Sequence, residues 1–333
     1  MKHKVLILGT LGEFTELVRK AKARGYETIV CDGYPDGIAR EYADKDYTIP
    51  VTDIDAIAQM CREASVDGII TSFSDLLLEC MTKIADKAGL PCYLKPEQLP
   101  WYRDKSACRE VLEKLGLPTP GFRKISVDLL RQGTEAQLQE SIAGLEYPLI
   151  SKPLDKYGSR GIFIIHDQSE IRRKALQTAE YTNCQEILIE EYNDGYEFNM
   201  MTWVMDGRVN VVSIADREKT EVEEGMLPIS TRNVYPSRFL TEVEKGATDV
   251  LQRYIGYTGQ TEGALSMQFF WKPGKGIQVC EIAGRFFGYE HELTDMVYGF
   301  QIEELLLDYL YEKERIREMF AKHDLHAPQK YGA

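Results

Sequence analysis

The feature that most limits the fold lies in the first 72 residues, where short β-rich runs alternate with helical stretches. Val5-Leu6-Ile7-Leu8 reads as a buried strand, and residues 13–24 carry helical periodicity. Glu27 to Cys31 is the next strand, followed by Asp46-Tyr47-Thr48-Ile49, a helix near 53–64, and Gly68 to Ser72. Such alternation requires an open, mostly parallel sheet with helices on both faces. Ligands of these sheets sit at the carboxyl ends of strands, so Gly9-Thr10-Leu11-Gly12 and Ser72-Phe73-Ser74-Asp75 are candidate contact loops. Gly9 and Gly12 do not complete G-x-G-x-x-G, which favours a tight strand-to-helix turn over a dinucleotide site.

Composition removes several classes. A net charge of -13 argues against a nucleic-acid partner, which needs clustered excess Lys and Arg. No apolar run approaches the roughly 20 residues that span a bilayer, so no membrane partner is expected. The opening MKHKVLILGT is followed at once by a charged stretch without a small-residue cleavage site, and reads as a strand rather than a leader. Seven scattered cysteines without a C-x-x-C pair suit a reducing compartment, and a cytoplasmic enzyme or binding protein is the expectation.

Near residue 100 the texture changes. Pro96, Pro100 and Trp101 bracket a linker, and Asp104 then caps a helix with Lys105 in its first turn. A lysine is electrostatically poor there; with the helix N-terminus it can hold a phosphate. Residues 147–153 form a strand carrying Lys152, and Gly161 to Ile165 is its partner. The loop between them holds Tyr157, Gly158 and Ser159, and glycines at 158 and 161 let backbone amides approach phosphate oxygens. Further on, residues 267–270 and 278–282 are β-runs joined by a glycine-bearing turn, which brings Gln268 and Glu281 together across a hairpin. Paired hard oxygens there suit magnesium or manganese shared with a triphosphate.

The order RDKSACREVLEKLGLPTP, YPLISKPLDKYGSRGI, ILIEEYNDGYEFNM and SMQFFW…VCEIAGR resembles the ATP-grasp superfamily over essentially the whole chain. The resemblance is greatest to its carbamoyl-phosphate synthase large subunit, biotin carboxylase and aminoimidazole ribonucleotide carboxylase branch. The implied fold is mixed α/β and α+β. It has a Rossmann-like pre-ATP-grasp domain (1–100), an N-terminal ATP-grasp subdomain (101–189) and a C-terminal one (190–333).

What the resemblance implies about the site follows residue by residue. Lys105 and Lys152 match lysines on the ATP phosphates, and Tyr157, Gly158, Ser159 and Gly161 match the phosphate-covering loop. Glu190, Glu191, Tyr192 and Asn193 match the adenine-binding segment, with Glu197 on the ribose hydroxyls. Gln268 and Glu281 match the metal ligands, although most members carry a carboxylate at 268 and many an asparagine at Ala283. Arg285 matches the arginine that steadies the transferred phosphoryl group, and Gly284 and Gly288 leave room around it. Lys219 matches a basic residue that approaches the γ-phosphate or the acyl substrate, while Arg217 and Arg232 are candidate carboxylate clamps. Residues 289–292 begin a helix expected to line the acceptor pocket.

The implied activity is an ATP-dependent ligase that converts a small-molecule carboxylate to an acyl phosphate and couples it to an amine or similar nucleophile. Alternatives are a carbamoyl-phosphate synthase-like enzyme, an aminoimidazole ribonucleotide carboxylase, which the short stretch after Arg285 disfavours, and a non-catalytic ATP- or ADP-binding regulator. Homodimers are common among such enzymes, though no residue here specifies one.

Overall fold

The computed structural model describes residues 2–155, 160–220, 230–288 and 290–332. Strands β1 (Lys4–Leu8), β2 (Glu27–Cys31), β3 (Lys45–Tyr47) and β4 (Gly68–Ile70) form a parallel sheet in the order β3-β2-β1-β4. After Lys4, β1 is apolar and fully buried from Val5 to Leu8, as suits a parallel strand covered on both faces. The helix Ile54–Ala64 starts on Asp53, whose side chain accepts from Ala56 N, and Asp75–Ala88 starts on Ser74, which accepts from Leu77 N.

Two antiparallel sheets follow. β5 (Phe122–Ser126), β6 (Leu149–Pro153), β7 (Phe163–Ile165) and β8 (Glu186–Glu191) lie in the order β5-β8-β6-β7. β9 (Tyr196–Met205), β10 (Arg208–Lys219), β11 (Ser230–Val234), β12 (Gly263–Lys272) and β13 (Gly276–Ala283) lie in the order β11-β10-β9-β12-β13. The nineteen-residue helix Leu240–Thr258 lays Val243, Ala247, Val250, Leu251 and Tyr254 into the core beside this second sheet.

The apolar interior is divided unequally. One buried cluster runs continuously from the parallel sheet into the five-stranded sheet and the C-terminal helices. A second and smaller one, from Ile125 to Ile189, belongs to the four-stranded sheet and its helices. The chain therefore leaves a core, builds another, and returns. The returning helix Ile302–Tyr311 is clamped to the first layer by Lys20 on Glu303 (3.1 Å) and Arg24 on Asp308 (2.6 Å). Among the described residues, no helix is long and apolar enough to cross a membrane.

Candidate active site

A cleft of about 600 Å³ lies between the two antiparallel sheets, within the size range of small-molecule sites. Lys152 from β6, Glu190 from β8, Arg217 from β10, Gln268 from β12 and Glu281 from β13 all line it, together with Lys105 and Arg109 from the helix Lys105–Lys114. Asp104 caps that helix as expected, accepting from Ser106 N at 2.7 Å and Ala107 N at 3.2 Å, so Lys105 enters the cleft wall from the first turn.

The wall that carries Lys152 is organised around a buried carboxylate. Glu190, 1% exposed, receives Lys152 Nζ at 2.5 Å and Arg109 Nη2 at 2.7 Å. Burial works to raise its pKa, but Arg109 and Lys152 outweigh it and hold the carboxyl below the usual range. Arg109 also donates to the carbonyls of Val279 (2.6 Å) and Cys280 (3.0 Å), joining its helix to β8 and β13. No part of the sequence argument pointed to Arg109. An arginine in a charged helix reads as solvated, and only its spacing of four from Lys105 signals a shared face.

The opposite wall is a polar row across the five-stranded sheet. Gln268 pairs directly with Glu281, which the alternation of the hairpin anticipates, and Gln268 pairs on its other side with Asn199. Arg217 pairs with Asn233. Since direct cross-strand partners share a face, these side chains form one polar stripe. Glu197 lies in it as a buried anion held by Arg217 Nη1 (2.5 Å), Lys219 Nζ (2.8 Å) and the amide of Gln268. Burial again opposes its ionisation, and Lys219 and Arg217 keep its pKa low.

The donors at Gln268 and Glu281 fit a hard cation. With the Gln268 amide nitrogen committed to Glu197, its carbonyl oxygen remains to act with the Glu281 carboxylate. Among the described residues no three His, Cys, Asp or Glu side chains gather as a self-sufficient metal cage. A magnesium ion needs only one or two protein oxygens when phosphates supply the rest of its ligands.

Other expected site residues stand elsewhere. Tyr157, Gly158 and Ser159 lie outside the described residues. Gly161 adopts φ +72°, and a Cβ there would meet Tyr181 at 2.6 Å, so its glycine answers to backbone and packing. Glu191 is not on the cleft wall; its carboxylate accepts from Gly121 N and Glu146 N, both at 3.1 Å. Tyr192 N donates to Pro148 O, and Asn193 bridges Gly195 N and Gln278. Lys219 opens on a smaller neighbouring pocket that shares Arg217 with the cleft. Arg232 is exposed and pairs with Glu218, on the face opposite to Asn233 and Arg217, so it is no clamp within this cleft. Gly284 leaves no substrate room, because a Cβ there would meet Leu94 at 2.8 Å.

Arg285 reaches the cleft through a partner. Its Nε and Nη2 each lie 2.8 Å from an oxygen of Asp75, a cleft-lining residue at the start of the helix Asp75–Ala88. Burial would lower its pKa, yet the Asp75 contact leaves it raised.

Known proteins share this plan. Residues 145–292 match the family model described as an ATP-grasp domain. The carbamoyl phosphate synthase large chain, C-terminal section, of Methanopyrus kandleri is 23% identical over 290 residues, covering 82% of this chain and 51% of that protein. The chain thus spans about half the length of that relative. The L-amino acid ligase of Bacillus licheniformis superposes with a TM-score of 0.75 at 19% identity, covering 93% of this chain and 74% of that one. The biotin carboxylase domain dimer of the Hydrogenobacter thermophilus 2-oxoglutarate carboxylase, with MgADP and bicarbonate, superposes with a TM-score of 0.74 at 19% identity, covering 94% and 70%. Residues 145–292 thus carry an ATP-grasp domain, and the fold around them is the one shared by the L-amino acid ligase and the biotin carboxylase domain.

Proposed function

We propose that this protein is an ATP-dependent ligase that activates a small-molecule carboxylate as an acyl phosphate and couples it to an amine. The observation that carries the proposal is the convergence of Lys105, Lys152 and the Gln268–Glu281 pair on one cleft between two antiparallel sheets. The similarity to an L-amino acid ligase supports the same reading.

Charge accounting explains the division of labour. Lys105 and Lys152 neutralise phosphate oxygens, and Glu190 with Arg109 holds the Lys152 ammonium in place. Glu281 and the Gln268 carbonyl would hold magnesium, which would supply Lewis-acid neutralisation of charge on the phosphates. The substrate carboxylate attacks the γ-phosphorus, ADP departs, and the nucleophile then displaces phosphate from the acyl carbon. Arg285, whose Nε–Nη2 edge is held by Asp75, contributes its positive charge to the anionic oxygens rather than a free fork.

Glu281→Gln tests the assignment. Substrate-stimulated ADP release, screened across pools of carboxylates and amines, should fall at least about 100-fold, in line with losing a charged ligand of a catalytic metal. Unchanged release would rule out ligase chemistry at this site.

A further inference from the structure

Beside the Gln268–Glu281 pair, the polar stripe continues into a buried cluster of oxygen acceptors. Glu290, 2% exposed, stands at the start of the helix His291–Tyr298. Three side chains meet it. Asn199 Nδ2 from β9 donates to its Oε1 at 2.5 Å, Asn233 Nδ2 from β11 donates to the same oxygen at 2.9 Å, and Tyr235 donates its hydroxyl to Oε2. With both amide nitrogens turned to Glu290, Asn199 Oδ1 and Asn233 Oδ1 are buried acceptors without a donor among the described residues. Leaving two such oxygens unpaired is costly in a protein interior. The charged group identified beside Glu290 is Arg217, one strand away on β10 and itself turned to Glu197. His291, the next residue, spends Nδ1 on Glu303.

Asn199 is the direct partner of Gln268, and Asn233 of Arg217, and both of those partners line the cleft. The acceptors therefore lie one cross-strand step from where an acyl phosphate would form. We infer that this cluster is the pocket that takes the nucleophile as a primary ammonium, with Asn199 Oδ1 and Asn233 Oδ1 accepting its N–H groups and Glu290 taking its proton. An ammonium presents donors only, which suits orphaned carbonyl oxygens, whereas a hydroxyl supplies one donor and a thiol a weak one. The inference rests on the ligase reading and specifies the second substrate within it. The proton passes from nitrogen to a Glu290 oxygen, and the freed nitrogen pair forms the bond to the acyl carbon. The acyl C–O bond to phosphate breaks, phosphate leaves with the electron pair, and the nitrogen sheds its second proton to that phosphate, which leaves a neutral amide. Burial pushes Glu290 up to about 7, a value that lets a carboxylate accept a proton near neutrality.

Binding and turnover test this separately. Ligand-observed NMR in the presence of MgADP, over primary amines each matched with its hydroxyl isostere, should show an amine bound at least about tenfold tighter than its isostere, because the isostere leaves acceptors unpaired. Glu290→Gln and Asn233→Leu should each weaken that amine at least tenfold while MgADP binding, the control for folding, persists. Tyr235→Phe keeps both acceptors and should keep the preference. In turnover, Glu290→Gln should slow amide formation by about 10²–10⁴-fold. Trapping of the acyl phosphate by hydroxylamine, which is unprotonated at neutral pH, should continue. Equal binding of isosteres, no binding of any amine, or unchanged amide formation in Glu290→Gln overturns the inference. An absence of ADP release from the unaltered protein refutes the ligase reading instead, and the binding preference still decides what the pocket holds.

Discussion

Arg285 and Asp75 meet through two parallel contacts of 2.8 Å, linking the end of β13 to the first turn of a helix from the parallel sheet. The pair joins segments 210 positions apart in the chain, and it aims the guanidinium by means of a residue outside the matched ATP-grasp region. Asp75→Asn should cost about 2 kcal/mol, less than a fully buried pair because both side chains keep some exposure. Turnover should fall at least tenfold with MgADP affinity retained. Urea unfolding and steady-state kinetics on one preparation check both parts; a loss of stability without a fall in turnover would make Asp75 merely structural.

The Arg109–Glu190–Lys152 triad predicts a ranking. Glu190→Gln strands two buried cations, whereas Arg109→Met leaves Glu190 and Lys152 matched one to one. Removing one member of a buried ionic group costs about 3–5 kcal/mol, so Glu190→Gln should lie at the upper end and Arg109→Met below it. Equilibrium denaturation of the two variants, compared at one pH, reads the order; a reversed order means the carboxylate is not the hub.

Gln268→Glu changes the metal requirement. A carboxylate at 268 faces Glu281 across the hairpin and Glu197 beside it, so three anions crowd the stripe. Without divalent metal the variant should melt lower than the parent, and magnesium or manganese should raise its melting temperature more than the parent's. Thermal melts with and without each cation decide it, and equal shifts would place the metal elsewhere.

Glu290 carries a pH signature. Its pKa rises from 4.5 unfolded to about 7 folded, chiefly through burial. The folded state therefore binds this proton more tightly. The corresponding stability is complete below about pH 4.5 and declines until pH exceeds about 7, a swing of about 3 kcal/mol. Glu290→Gln should flatten that part of the stability profile. Denaturation at several pH values between 4 and 8 provides the measurement, and an unaltered slope would contradict the assignment.

Much of this architecture was legible in the residues. The apolar runs at 5–8 and 27–31 could only be covered strands, and alternation along 267–270 and 278–282 placed Gln268 opposite Glu281 as found. Asp104 announced the helix that carries Lys105. What escaped was pairing between distant segments. Arg109 looks like one more surface cation until β8 and β13 close over it. Asn199 and Asn233 are ordinary strand residues until Glu290 arrives from another element, and Asp75 reads as a helix-start acid rather than the holder of Arg285. Glu191 and Asn193 were placed by motif, but their side chains are spent on loop amides and Gln278.

The division of the interior into a continuous large core and a small one has a mechanical consequence. The segment from 122 to 191 is attached to the larger body at both of its ends, before β5 and after β8, with Val279 N on Pro118 O pinning one crossing. The two attachments lie next to each other, because β5 and β8 are adjacent strands and Glu191 N bonds Gly121 O. A body held at two neighbouring points turns about the line between them and resists twisting and sliding. Lys152 and Arg160 ride on that body, while Glu281 and Gln268 stay with the frame. One rotation would swing Lys152 and Arg160 together toward or away from Lys105 and Glu281, as a door turns on two pins.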